Sequence, residues 1–119
     1  MKLYEKILNL KEQEILYTVD FYLQVGQHGN AFQGSDLRKA KSIAKRLTND
    51  AKKDDDIRMV EISNHSSEGD FDGIIYYMTE DYLNDVMDAQ FFKDNKAYNN
   101  YKKAAKQNMK TKKPVEWTI

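Results

Sequence analysis

At 119 residues the chain has the size of one globular domain over residues 1 to 119. Its 40% hydrophobic and 12% aromatic content is enough to build a modest core, so the 32% charged fraction reads as a solvated surface rather than disorder. The absence of cysteine excludes disulfides, thiolate zinc sites and a cysteine nucleophile. The formal net charge of zero hides a block pattern: seven basic against two acidic residues over 35 to 53, eleven acidic against one basic over 54 to 88, and eight lysines against two acidic residues from 89 onward.

The N-terminal stretch Met1, Lys2, Leu3, Tyr4, Glu5, Lys6 is interrupted by charge before an apolar run forms, so no signal peptide is expected. The longest apolar run, residues 74 to 78, is too short to span a bilayer, and a cytoplasmic protein without a membrane partner is expected. Residues 3 to 13 place Leu3, Ile7 and Leu10 on one side of a short helix. From Ile15 the period switches to two: Tyr17, Val19, Phe21, Leu23 and Val25 alternate with Thr18, Asp20, Tyr22 and Gln24, which predicts a strand. Gly26, Gly29 and Gly34 then punctuate an expected loop, and Ser35 is the expected N-cap of a helix with Leu37, Ala40, Ala44, Leu47 and Ala51 on one face.

Asp54 to Asp56 break that helix, and residues 57 to 64 and 71 to 78 read as two strands joined by a polar turn, an antiparallel hairpin. The second, with Ile74, Ile75, Tyr76, Tyr77 and Met78, lacks polar alternation and is expected to be a central strand covered on both faces. Thr79 is positioned to cap a short helix through Gln90, and Phe91 and Phe92 are expected in the core. Asp94 is positioned to cap a last helix to about Lys110; beyond Pro114, Val115, Glu116 and Trp117 alternate as an edge strand would. The resulting class is α+β, a small, mainly antiparallel sheet covered by helices in the order α-β-α-β-β-α-α-β, with a partly closed mixed barrel of the PUA type as the alternative.

No catalytic set is visible: the motifs G-x-S-x-G and H-E-x-x-H are absent, and His28 and His65 stand apart from any second histidine. A non-enzymatic protein without cofactor or metal is expected. The segment Glu68, Gly69, Asp70, Phe71, Asp72, Gly73 resembles the start of an EF-hand loop, but Thr79 stands where the bidentate glutamate belongs, so a polar turn is the better account. Two lysine-rich helix faces are the sharper signal. Lys102, Lys103, Lys106 and Lys110 fall together on the last helix, and Lys41, Lys45 and Lys52 would join them if the two helices lay side by side.

Such walls suit a phosphate backbone, and the scarcity of arginine argues against base-specific reading in a groove, so an accessory or regulatory protein binding RNA or single strands is expected. The alternative is a protein-binding inhibitor or adaptor that offers Glu61, Glu68, Asp70, Asp72, Asp81, Asp85 and Asp88 to a basic protein surface. A small-molecule site in the loop of residues 26 to 35, next to a helix N-terminus, is a third reading. Sixteen lysines against three arginines, with abundant asparagine and tyrosine, is the usage of an AT-rich genome such as a low-GC bacterium or its phages and plasmids. The partner's identity and the oligomeric state are left open by the sequence.

Overall fold

The structure, a computed structural model, describes residues 16 to 53, 56 to 66 and 71 to 118. The helix expected over residues 3 to 13 lies outside the described residues. Strand β1 (Tyr17–Leu23) pairs on one side with β2 (His28–Gly34) and on the other with β3 (Ile57–Asn64). β3 then pairs with β4 (Gly73–Met78), and β4 with β5 (Val115–Trp117). All four pairings are antiparallel, giving a five-stranded sheet in the order β2-β1-β3-β4-β5. The order of elements follows expectation, with β2 as an added strand. β2 and β5 do not pair, so the sheet is open and the barrel alternative fails.

The period-two pattern of β1 explains its two faces. Tyr17, Val19 and Phe21 join Val60, Ile62 and Ile74 in a core closed by Ala40 and Ala44 of α1 (Leu37–Lys53). Met59, Ile75 and Met78 point the other way, against Tyr101, Ala104 and Ala105 of α2 (Asn95–Thr111). Alternate residues of β3 thus feed two cores, and β4 is covered on both faces, as its unbroken apolar run predicts. Alanines at the helix contacts allow both helices to lie close to the sheet. Asp94 caps α2 by accepting from the Ala97 amide at 2.8 Å. For α1 the cap is Asp36, accepting from the Lys39 amide at 3.1 Å, one residue beyond the expected Ser35.

The main departure is at residues 28 to 34, expected as loop and found as β2. Only Phe32 of this strand packs on the core, so it lacks the apolar alternation that would mark it. Its glycine is required by close approach: Gly29 faces Phe21, whose ring fills the space a Cβ would take. The expected helix of residues 79 to 90 is also broken up. Thr79 does cap it, its hydroxyl accepting from the Tyr82 amide at 3.3 Å, but a π-helical turn (Tyr82–Val86) and a short 3-10 turn (Ala89–Phe91) replace a regular helix. The break leaves Phe92 half-buried against the core and turns Phe91 out to 63% exposure, against the expectation that both lie in the core.

At the other edge, Trp117 lies across Gly73, its β4 partner. A Cβ on residue 73 would stand 2.7 Å from Trp117 Nε1 and 2.9 Å from the Ile62 carbonyl oxygen. Gly73→Ala is therefore expected to cost about 1–3 kcal/mol, as overpacking does. Because Trp117 is the only tryptophan, its displacement should register as an emission change together with a lower Tm. An unchanged spectrum and Tm would show that β5 gives way without loss.

Candidate functional site

The lysine-rich helices fall on opposite faces of the sheet, so the side-by-side arrangement expected for Lys41, Lys45 and Lys52 with the last helix does not occur. Their C-terminal ends line a common cleft. A cleft of about 390 Å³ runs past the edge of β4, lined by Lys52 from α1 and by Asn108, Met109 and Lys112 from the end of α2. Lys41 and Lys45 share the helix flank of Lys52, since four-residue and seven-residue steps return to one side. On α2, Lys103, Lys106 and Lys110 are exposed, while Lys102 is half-buried with its Nζ 4.3 Å from the Tyr98 ring centre. Helix α2 carries five lysines and no acidic residue. Among the described residues, none of these lysines forms an ion pair with a carboxylate.

The acidic residues are dispersed. Glu61 is turned inward beneath α2, where its Oε1 accepts from the Tyr101 hydroxyl at 2.8 Å. Asp88 accepts from the Gln90 amide and closes the 3-10 turn. Asp81 and Asp85 are exposed beside a separate cleft of about 310 Å³ that also holds Tyr22, Arg58 and Tyr82. Asp72 has its amide bonded to the Trp117 carbonyl and lines the cleft beside Glu61. Glu68 and Asp70 lie outside the described residues, as does the first half of the EF-hand-like stretch; among the described residues no cluster of three or more histidine or acidic side chains is placed to hold a metal. The candidate anion loop is β2.

A polar cluster that sequence patterns did not single out covers the α2-side surface of β1 and β3. Asp20 accepts from Thr18 Oγ1 at 2.9 Å, from Asn30 Nδ2 at 3.0 Å and from Ser63 Oγ at 3.4 Å. The Thr18 proton is thereby committed to Asp20, so the 3.0 Å contact between Thr18 Oγ1 and His65 Nε2 requires the imidazole to donate. Beside this chain, burial pushes the Glu61 carboxyl up from 4.5 to about 7; the Tyr101 hydrogen bond opposes the shift and the Asp20 charge adds to it. The same burial, with Glu61 nearby, raises the Tyr82 and Tyr101 hydroxyls well above the usual phenol range. These groups come from β1, β2, β3, the π-helical turn and α2, and they share a face only after the sheet has formed. The one clue in the sequence is polar residues at the alternate positions of otherwise apolar strands: Thr18, Asp20, Glu61 and Ser63.

Between β3, β5, the start of α2 and residues 87 to 93 a cleft of about 350 Å³ opens onto this cluster. Glu61, Ser63, Asn64, His65, Asp72 and Lys93 supply its polar groups, and Phe91, Phe92, Tyr101 and Trp117 its aromatic ones. Among the described residues no helix is long and apolar enough to cross a membrane. The chain matches no protein-family profile, no curated protein and no solved structure.

Proposed function

We propose that this protein is a non-enzymatic nucleic-acid-binding protein that holds the phosphate backbone of RNA or another single strand against the lysine face of α2. The observation that carries this reading is that Lys102, Lys103, Lys106 and Lys110 lie on one side of a helix without acidic residues and have no carboxylate partner among the described residues. Each lysine that neutralises a phosphate releases condensed counterions, an attraction independent of base sequence. Lys41, Lys45 and Lys52 extend the basic surface around the β4 edge, through the cleft that Lys52 shares with Lys112. The acidic, protein-docking alternative draws less support, because the acidic side chains do not form one surface: Glu61 faces inward beneath α2, Asp88 closes a turn, and Asp81 and Asp85 stand at a separate cleft.

Fluorescence anisotropy with labelled single-stranded RNA and DNA, followed across salt concentrations, tests the reading. The pair Lys102→Glu and Lys106→Glu is expected to weaken binding at least tenfold at low salt. It should also reduce the slope of log affinity against log salt by roughly 1.4, two phosphate contacts at about 0.7 each. A variant that keeps the wild-type circular dichroism and the wild-type affinity would remove α2 from the interface.

A further inference from the structure

The cleft beside Glu61 adjoins the lysine face of α2. Phe92, on its wall, lies 5.3 Å from the Tyr98 ring, and Tyr98 in turn carries Lys102 over its face. Lys93 stands among the cleft residues as well. A strand following the α2 lysines therefore passes the mouth of a pocket whose volume, about 350 Å³, is at the small end of ligand sites, roughly 300–1,000 Å³.

Aromatic side chains form much of the wall. Phe92 and Trp117 hold each other edge to face, centres 5.9 Å apart, and Tyr101 packs on both. Phe91 is 63% exposed at the same cleft, an aromatic surface that the fold leaves open. At the polar end stand the Glu61 carboxyl and Ser63.

We infer that this cleft receives one unpaired base of the bound strand, stacked on Phe91 and meeting Glu61 and Ser63 with its hydrogen-bonding edge. The inference rests on the backbone-binding reading above and adds to it a contact with the base. Bases of single strands are held in this manner, by stacking on aromatic side chains beside a basic track. Near neutral pH the Glu61 carboxyl is partly protonated, and with Oε1 held by the Tyr101 hydroxyl its protonated form presents the other oxygen as a donor to an acceptor on the base edge. Burial sets this state first, the Tyr101 hydroxyl on α2 opposes it and the Asp20 charge on β1 adds to it; Tyr82 on the π-helical turn and His65, Asp72 and Lys93 at the cleft are the other titratable groups around it.

The test compares two labelled probes of equal length in the full protein at low salt and pH 6: a single-stranded DNA and its fully abasic counterpart, which has the same phosphates and no bases. The base-bearing strand is expected to bind about tenfold more tightly, the size of one stacking contact. In Phe91→Ala, which removes an exposed side chain, that advantage should vanish while abasic binding is unchanged. Equal binding of the two probes by the wild-type protein, or an advantage that survives Phe91→Ala, would overturn the base pocket and leave backbone binding standing. Failure of both probes to bind would overturn the backbone reading and this one with it.

Discussion

Glu61→Gln is expected to stabilise the domain by about 2–3 kcal/mol at pH 8 and to change it little at pH 5. The carboxyl sits under α2, and burial raises it from 4.5 to about 7. In the unfolded chain it loses its proton near 4.5, whereas in the folded protein it keeps the proton until about 7. Between those values the folded state binds more protons than the unfolded state, so stability falls as pH rises through this window and is level above it. A gap of roughly 2.5 units at about 1.4 kcal/mol each sets the ceiling, and the carboxyl's remaining exposure reduces it. Glutamine has nearly the same shape, still accepts from the Tyr101 hydroxyl and has no charge to desolvate. Urea unfolding of both proteins at pH 5 and pH 8 isolates the residue, because other titrating groups cancel in the difference. An identical difference at both pH values would mean that Glu61 ionises as an ordinary surface carboxylate.

Asn108→Ala should lose about 2–3 kcal/mol and loosen β5. β5 pairs with β4 only over Gly73, Ile74 and Ile75, so the rest of β4, paired with β3 on its other side, has no strand on this one. The Asn108 side chain takes that place. Its Nδ2 donates to the Ile75 oxygen at 3.2 Å, to the Tyr76 oxygen at 3.1 Å and to the Lys113 oxygen at 2.8 Å, joining the end of β4 to the turn that leads into β5. The residue is 2% exposed, so alanine removes the donor without giving the Ile75 carbonyl ready access to water. Urea unfolding would measure the loss, and amide exchange at Val115 and Trp117 would report the freed strand. A loss below about 0.5 kcal/mol would show that water in the adjacent cleft replaces the amide.

Asn108 also shows where sequence reading reaches its end. On the helical wheel it sits among Ala97, Tyr101, Ala104 and Ala105, all buried, so its position on the inner face is legible. Its role is not, because the carbonyls it satisfies belong to another strand some thirty residues away. β2 was hidden for a related reason. A strand made of His28, Gly29, Asn30 and Gln33 has little propensity of its own and forms because β1 offers an edge and Phe21 needs the space above Gly29. Phe91 and Phe92 show the same dependence, since adjacent aromatics in a broken helix cannot both face inward, and the turn geometry chose Phe92.

By itself, the amino-acid order determined β1, the β3–β4 hairpin, both long helices with their apolar faces, the Asp94 cap and the lysine walls. Each of these depends on spacing within one segment, at period two or 3.6, which is a local property of the chain. Tertiary structure alone decided that the two basic helices lie on opposite faces, that Glu61 is an interior acid instead of a surface charge, and that Asp20, Ser63, His65 and Tyr101 share one face. The physical reason is that desolvation and through-space charge act over distances set by sheet register and helix placement, and no periodicity along a single strand records which partner will lie across from it.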